Sequence, residues 1–167
     1  MTASRVAVRD LLGASMTQGE LASALNSTQA AVSQWVSGAR KPNAAASAQI
    51  ERALAARTAT GRSVDVGLRR GPVLIPDELW EPAFRPAGRF RLPLHLEWSG
   101  SDTQRWRDAS NLSVLLNAYT QVMVEGSLAD IVTWVDPTVL AAQFDDVLWP
   151  RGYREPWRAA LTEWGLL

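Results

Sequence analysis

Thr28, Gln29, Ser33 and Gln34 are polar, and they occupy the positions left between the apolar Ala31, Val32, Trp35 and Val36, with Ala30 as a small apolar neighbour. On a helix such residues point away from a core. Their chemistry suits the edges of base pairs: a Gln amide donates to and accepts from adenine, and the methyl groups of Ala and Thr touch a thymine methyl. A short polar helix of this kind fits a major groove. Other residue types that carry chemistry are sparse. His95 is the single histidine, and it falls on the outward set of an expected strand. Asp145 and Asp146 are adjacent, so on a helix they point about 100° apart, and no third metal ligand follows at a matching spacing. The absence of cysteine excludes a thiol nucleophile, a disulfide framework and a Cys-based zinc site. No Gly-rich phosphate loop or nucleophile motif is present. The expectation is a protein that binds rather than catalyses, with no cofactor and no metal.

The elements that must hold the polar helix read from its neighbours. Val6, Val8, Leu11 and Leu12 predict a first helix, Leu21, Ala22 and Leu25 a second, Ala31 to Val36 a third, and Ile50, Ala53 and Leu54 a fourth. Thr17 stands three residues before Glu20, as a capping box requires, and Thr28 can cap the third helix. Gly38 ends that helix, and Pro42 prevents its continuation. The two central helices must cross closely, which places the small Ala22 at their contact and Leu21, Leu25, Val32 and Trp35 in the core beneath. Asn26 in the intervening turn tolerates a left-handed backbone.

These residues carry a resemblance. The stretch Met16 to Asn43, MTQGELASALNSTQAAVSQWVSGARKPN, resembles the helix-turn-helix of the lambda-repressor-like (Cro/C1, or XRE) family, over roughly residues 5 to 56. It includes Thr17-Gln18, Glu20-Leu21-Ala22, Leu25, Asn26, Val32 to Trp35, Gly38 and Arg40-Lys41-Pro42. The resemblance implies that Gln18 contacts backbone phosphate and supports the reading helix, and that Arg40 and Lys41 add sequence-blind phosphate contacts. It also implies double-stranded operator DNA as partner and a homodimer on two half-sites. Two residues depart from the family pattern. Ser27 stands where an aliphatic residue is usual, and Gly19 weakens its helix by ~1 kcal/mol relative to alanine.

Beyond residue 57 the character changes. Residues 58–71 lack periodicity and read as a linker or a frayed helix end between a domain at 1–57 and another at 72–167. Five prolines between Pro72 and Pro93 disfavour long helices. Phe90, Leu92, Leu94, Leu96 and Trp98 alternate with polar residues and Pro93, which predicts an edge strand. Leu112 to Met123 then forms an apolar helical face ending at Gly126, Ser127 with Asp130 opens another helix, and Asp136-Pro137 opens a third. A last short helix holds Trp157, Leu161 and Trp164. Of the eight tryptophans, Trp35, Trp134 and Trp157 read as core, and about a third of the total is expected at the surface. The fold class is mainly α: an N-terminal helix-turn-helix bundle and a C-terminal α+β domain with a short β segment and several helices.

The zero net charge conceals an asymmetry. Six basic and three acidic residues lie in 1–57, eight and six in 58–107, and three and eight in 108–167. Nucleic acid therefore suits the first two thirds as a partner and not the last. From Leu92 to Leu166 the chain resembles the C-terminal region of bacterial antitoxin-type regulators that accompany nucleotidyltransferase-like toxins of the abortive-infection class. RLPLHLEW, AYTQVMVEGSLADIVTWVD, DDVLWP and REPW carry that resemblance, which implies a repressor of its own operon that binds a toxin. The alternative is a phage-type immunity repressor whose C-terminal domain makes a second DNA contact. The basic run Arg62, Arg69, Arg70, Arg85, Arg89 and Arg91 favours it. No apolar run reaches the ~20 residues that cross a bilayer, and the charged start MTASRVAVRD does not read as a signal peptide. The expected compartment is the cytoplasm, with no membrane partner.

Overall fold

The computed structural model describes residues 5–14, 16–67, 69, 71–97 and 105–167. Four helices come first: α1 (Arg5–Ala14), α2 (Gln18–Ala24), α3 (Gln29–Ser37) and α4 (Ala44–Ala55). Local signals set their ends. The Thr17 hydroxyl accepts from the Glu20 N–H at 3.2 Å, while the Glu20 carboxylate accepts from the Thr17 N–H at 2.8 Å, closing the capping box. Thr28 and Asn43 cap α3 and α4 one way, their side chains accepting from the Ala31 and Ala46 N–H groups. Asn26 takes the left-handed backbone at φ 51°, and Gly38 stops α3 at φ 82°. Val8, Leu11, Leu21, Leu25, Val32, Trp35 and Ile50 are buried between the four helices.

The segment expected as a linker contains a strand. β1 (Gly61–Val64) pairs antiparallel with β2 (Val73–Pro76), Gly61 opposite Pro76 and Val64 opposite Val73. β1 lacks an apolar alternation because its side chains stay at the surface, and β2 supplies the buried Val73 and Ile75 instead. Gly61 is required by close approach, since a Cβ there would lie 2.4 Å from the Ile75 carbonyl oxygen.

The edge strand expected from Phe90 to Trp98 is almost absent. Only β3 (Arg89–Phe90) is strand, paired with β4 (Arg107–Asp108), and the chain turns at Leu94–Leu96. Pro93 lacks a donor, and its carbonyl instead accepts from the N–H groups of Leu96 at 3.0 Å and Glu97 at 3.2 Å, which closes a turn. The alternation breaks there: Pro93 is buried and Leu94 is 57% exposed. Trp98 lies outside the described residues, as does Arg70 of the basic run.

α5 (Leu112–Glu125), α6 (Leu128–Trp134), α7 (Pro137–Ala142) and α8 (Arg154–Glu163) complete the chain. Ser127 and Asp130 form a second capping box, and Asp136 caps α7 with Pro137 in its first turn. Trp35, Trp134 and Trp157 are buried as expected. The other described indoles are half-buried: Trp80, Trp149 and Trp164 pack against the core, and Trp106 lies under two arginine side chains. Trp80 packs edge-on against both Trp157 and Trp164, and its ring N–H donates to the Val135 carbonyl at 2.9 Å. A single cluster of buried side chains runs from Val8 in α1 to Leu161 in α8. The fold is thus mainly helical, with an N-terminal helix bundle and a later part of short strands and helices.

Candidate nucleic-acid interface

α2 and α3 meet through Leu21, Ala22, Leu25, Val32 and Trp35, all buried, and this contact turns the opposite side of α3 outward. Gln29, Ala30, Ser33 and Gln34 are exposed together on that side. Thr28 is also exposed, but its hydroxyl accepts the Ala31 N–H at 3.1 Å, so its polar oxygen serves the helix end. Gln18, half-buried, lies in the first turn of α2. Next to it, a Cβ on Gly19 would stand 4.0 Å from the Gln29 side-chain oxygen, so the starts of the two helices adjoin. Arg40 and Lys41 are exposed beyond the far end of α3, where the Arg40 N–H donates to the Gln34 carbonyl at 3.2 Å.

One contributor at that far end was not legible from spacing. The Arg5 Nε donates to the Val36 carbonyl at 2.9 Å, satisfying a carbonyl in the last turn of α3 and placing a third cation beside Arg40 and Lys41. Arg5 belongs to α1, thirty-one residues away, and an isolated arginine near the start of a helix carries no signal of such a contact.

The second part of the chain grips the turn between the helices. The Asn26 amide donates to the Arg85 carbonyl at 3.2 Å and accepts from the Ala87 N–H at 3.0 Å, so the turn residue also docks residues 85–87. Beneath it, Glu20 of the capping box is 3% exposed and accepts from Arg105 at 3.1 Å; Arg105 is 7% exposed and also donates to the Leu92 carbonyl at 3.0 Å. The orientation of α2 therefore depends on residues some eighty positions downstream.

Beside the start of α3 lies an open cleft of about 490 Å³ lined by Gly19, Ser27 and Gln29 on one side and Arg89, Arg91 and Trp106 on the other. Both arginines stack on the Trp106 indole, each guanidinium carbon 5.1 Å from the ring. A Cβ on Gly19 would approach the Arg91 guanidinium to 3.2 Å. The two departures from the family pattern, Gly19 and Ser27, thus face the same docked segment. Nearby, the exposed Asp108 carboxyl is held below the usual carboxylate range, first by the Ser110 hydroxyl and N–H that donate to it and then by the charge of Arg89.

Two of the other residues considered for chemistry lie in ion pairs. His95 lies 2.9 Å from the Asp130 carboxylate, which is engaged in the α6 capping box. Asp145 pairs with Arg154. Among the described residues no three side chains gather in a way suited to a metal ion, and no helix is long and apolar enough to cross a membrane.

An outward polar helix, braced by a second helix across a tight turn and followed by a basic loop, defines a helix-turn-helix. Residues 9–59, just under a third of the chain, match the family model described as helix-turn-helix. That segment supports a DNA-binding transcription regulator. No curated protein and no solved structure matches the chain significantly. The family match ends at residue 59, and the resemblance of residues 92–166 to antitoxin-type regulators has no support in these comparisons.

Proposed function

We propose that this protein is a sequence-specific transcriptional repressor that lays α3 in the major groove of operator DNA and reads base edges with Gln29, Ala30, Ser33 and Gln34. The carrying observation is the joint exposure of these four side chains on a helix whose opposite face is locked by Val32 and Trp35. Thr28 adds its methyl group rather than its capped hydroxyl, and Gln18, Arg40 and Lys41 hold phosphates. It acts by binding in the cytoplasm, as a dimer on half-sites about one helical turn apart, and catalyses nothing.

A duplex selected from a random pool tests this. Gln29→Ala and Gln34→Ala should each cost about 1–3 kcal/mol at one base position and leave binding to unrelated duplexes unchanged. A uniform loss on every sequence would show that these residues do not read bases.

A second reading concerns the C-terminal part: that it binds a toxin and makes the repressor an antitoxin of its own operon. The −5 balance of residues 108–167 supports it, together with Leu148, which is 74% exposed beside the exposed Asp145 and Asp146. An exposed leucine suits contact with a protein partner, and the net acidic balance of this third of the chain suits a basic one, as enzymes that act on nucleotides often are. Coexpression with the neighbouring gene product should yield a copurifying complex that Leu148→Asp disrupts. Failure to bind that product, or to relieve its toxicity, would remove the antitoxin role.

A further inference from the structure

We propose that Arg89, Trp106 and Arg91 form a phosphate-binding shelf through which the second part of the chain grips the DNA backbone beside the base pairs read by α3. The inference rests on the reading of α3 as the recognition helix. The shelf is separated from Gln29 only by the open cleft, and Arg91 packs over Gly19, the neighbour of Gln18. It therefore continues the reading face rather than opening a separate one.

The chemistry fits phosphate in particular. A guanidinium presents parallel N–H donors that match phosphate oxygens, and it is less strongly hydrated than an ammonium. Stacking on Trp106 restricts both arginines before any ligand arrives, which lowers the entropy lost on binding. Asp108, whose charge acts on Arg89, is partly occupied by Ser110, so it offsets Arg89 only in part. Glu20, the acid of α2, is engaged by Arg105 and buried. Placement agrees with the groove. α3 has nine residues and so spans about 13 Å, close to the ~12 Å width of the major groove. Arg89 and Arg91 lie at its start, and Arg5, Arg40 and Lys41 at its end. Cations at both ends of a helix of that length match the phosphates on the two walls of one groove.

The test measures affinity between 50 and 200 mM salt, for the selected duplex and for an unrelated duplex of equal length. Arg89→Gln with Arg91→Gln should weaken both duplexes alike and lower the salt slope by about 2. Over that range the fall in affinity then becomes roughly tenfold smaller than in the unaltered chain. Arg89→Lys with Arg91→Lys keeps the charges and should restore most of the slope. Should the paired Gln variant fail to fold, Arg89→Gln alone carries the test, with an expected slope change of about 1, since Arg89 is exposed. An unchanged slope in these variants, while Gln34→Ala still alters base preference, overturns the shelf and leaves the recognition helix standing. No effect from Gln29→Ala or Gln34→Ala on base preference overturns the reading beneath it, whatever the slope does.

Discussion

Replacing Arg105 with methionine is expected to cost about 3–5 kcal/mol of folding stability, far more than loss of any ion pair on this protein's surface. Arg105 and Glu20 are 7% and 3% exposed, so removing the guanidinium leaves the Glu20 carboxylate in a site that water does not reach. The Thr17 N–H still donates to one carboxylate oxygen, but the other, now 3.1 Å from an Arg105 nitrogen, loses its charged donor. The Leu92 carbonyl loses its donor as well. Denaturant titration should show the loss as a lower midpoint at nearly constant slope. In a chain of this length it amounts to a fall in melting temperature of roughly 10 °C. Adding Glu20→Gln should recover a large part, because the amide keeps an acceptor for Thr17 and no longer buries a charge. A loss below about 1 kcal/mol would place the pair among solvated surface bridges and remove the argument that α2 is held from the C-terminal side.

Trp157→Ala should be of comparable size, about 3–5 kcal/mol, and its value lies in where the damage appears. Trp157 is fully buried, and Trp80 packs edge-on against it with ring centroids 6.4 Å apart. Truncation opens a cavity at the far end of the chain from α3. Because one cluster of buried side chains joins the two parts, unfolding should remain a single transition. Operator binding should then fail at the same lowered temperature as the helical circular dichroism signal. Two transitions, with the first four helices melting at the original temperature and still binding DNA, would show that the parts fold independently.

Trp157 is legible as a core residue, but its Trp80 partner and the Arg105–Glu20 pair are not, and the reason is sequence separation. The capping boxes at Thr17–Glu20 and Ser127–Asp130 join residues three apart, so they are legible from residue type and spacing alone. The same holds for the left-handed Asn26, the stop at Gly38 and the start at Asp136-Pro137. The strand expected from Phe90 to Trp98 gives way at Pro93, whose carbonyl closes a turn with Leu96 and Glu97. Alternation is compatible with proline on an edge strand, but it does not show where a residue without an N–H turns the chain instead. β1 was invisible for the opposite reason: its register is imposed by β2 and by the space that Gly61 leaves for Ile75 and Leu128, not by any pattern of its own.

The polar face of α3 and the elements that carry it are legible in the residues alone, because helix periodicity, caps and turns act over three or four residues and can be read without knowing any distant partner. What stands beside that helix was decided only by the tertiary structure. The Asn26 bond to Arg85 spans 59 positions and the Glu20 bond to Arg105 spans 85. Over such distances the side chains that meet are chosen by how the two parts bury their shared apolar surface. That choice brings Arg89, Arg91 and Trp106 next to Gly19 and Gln29.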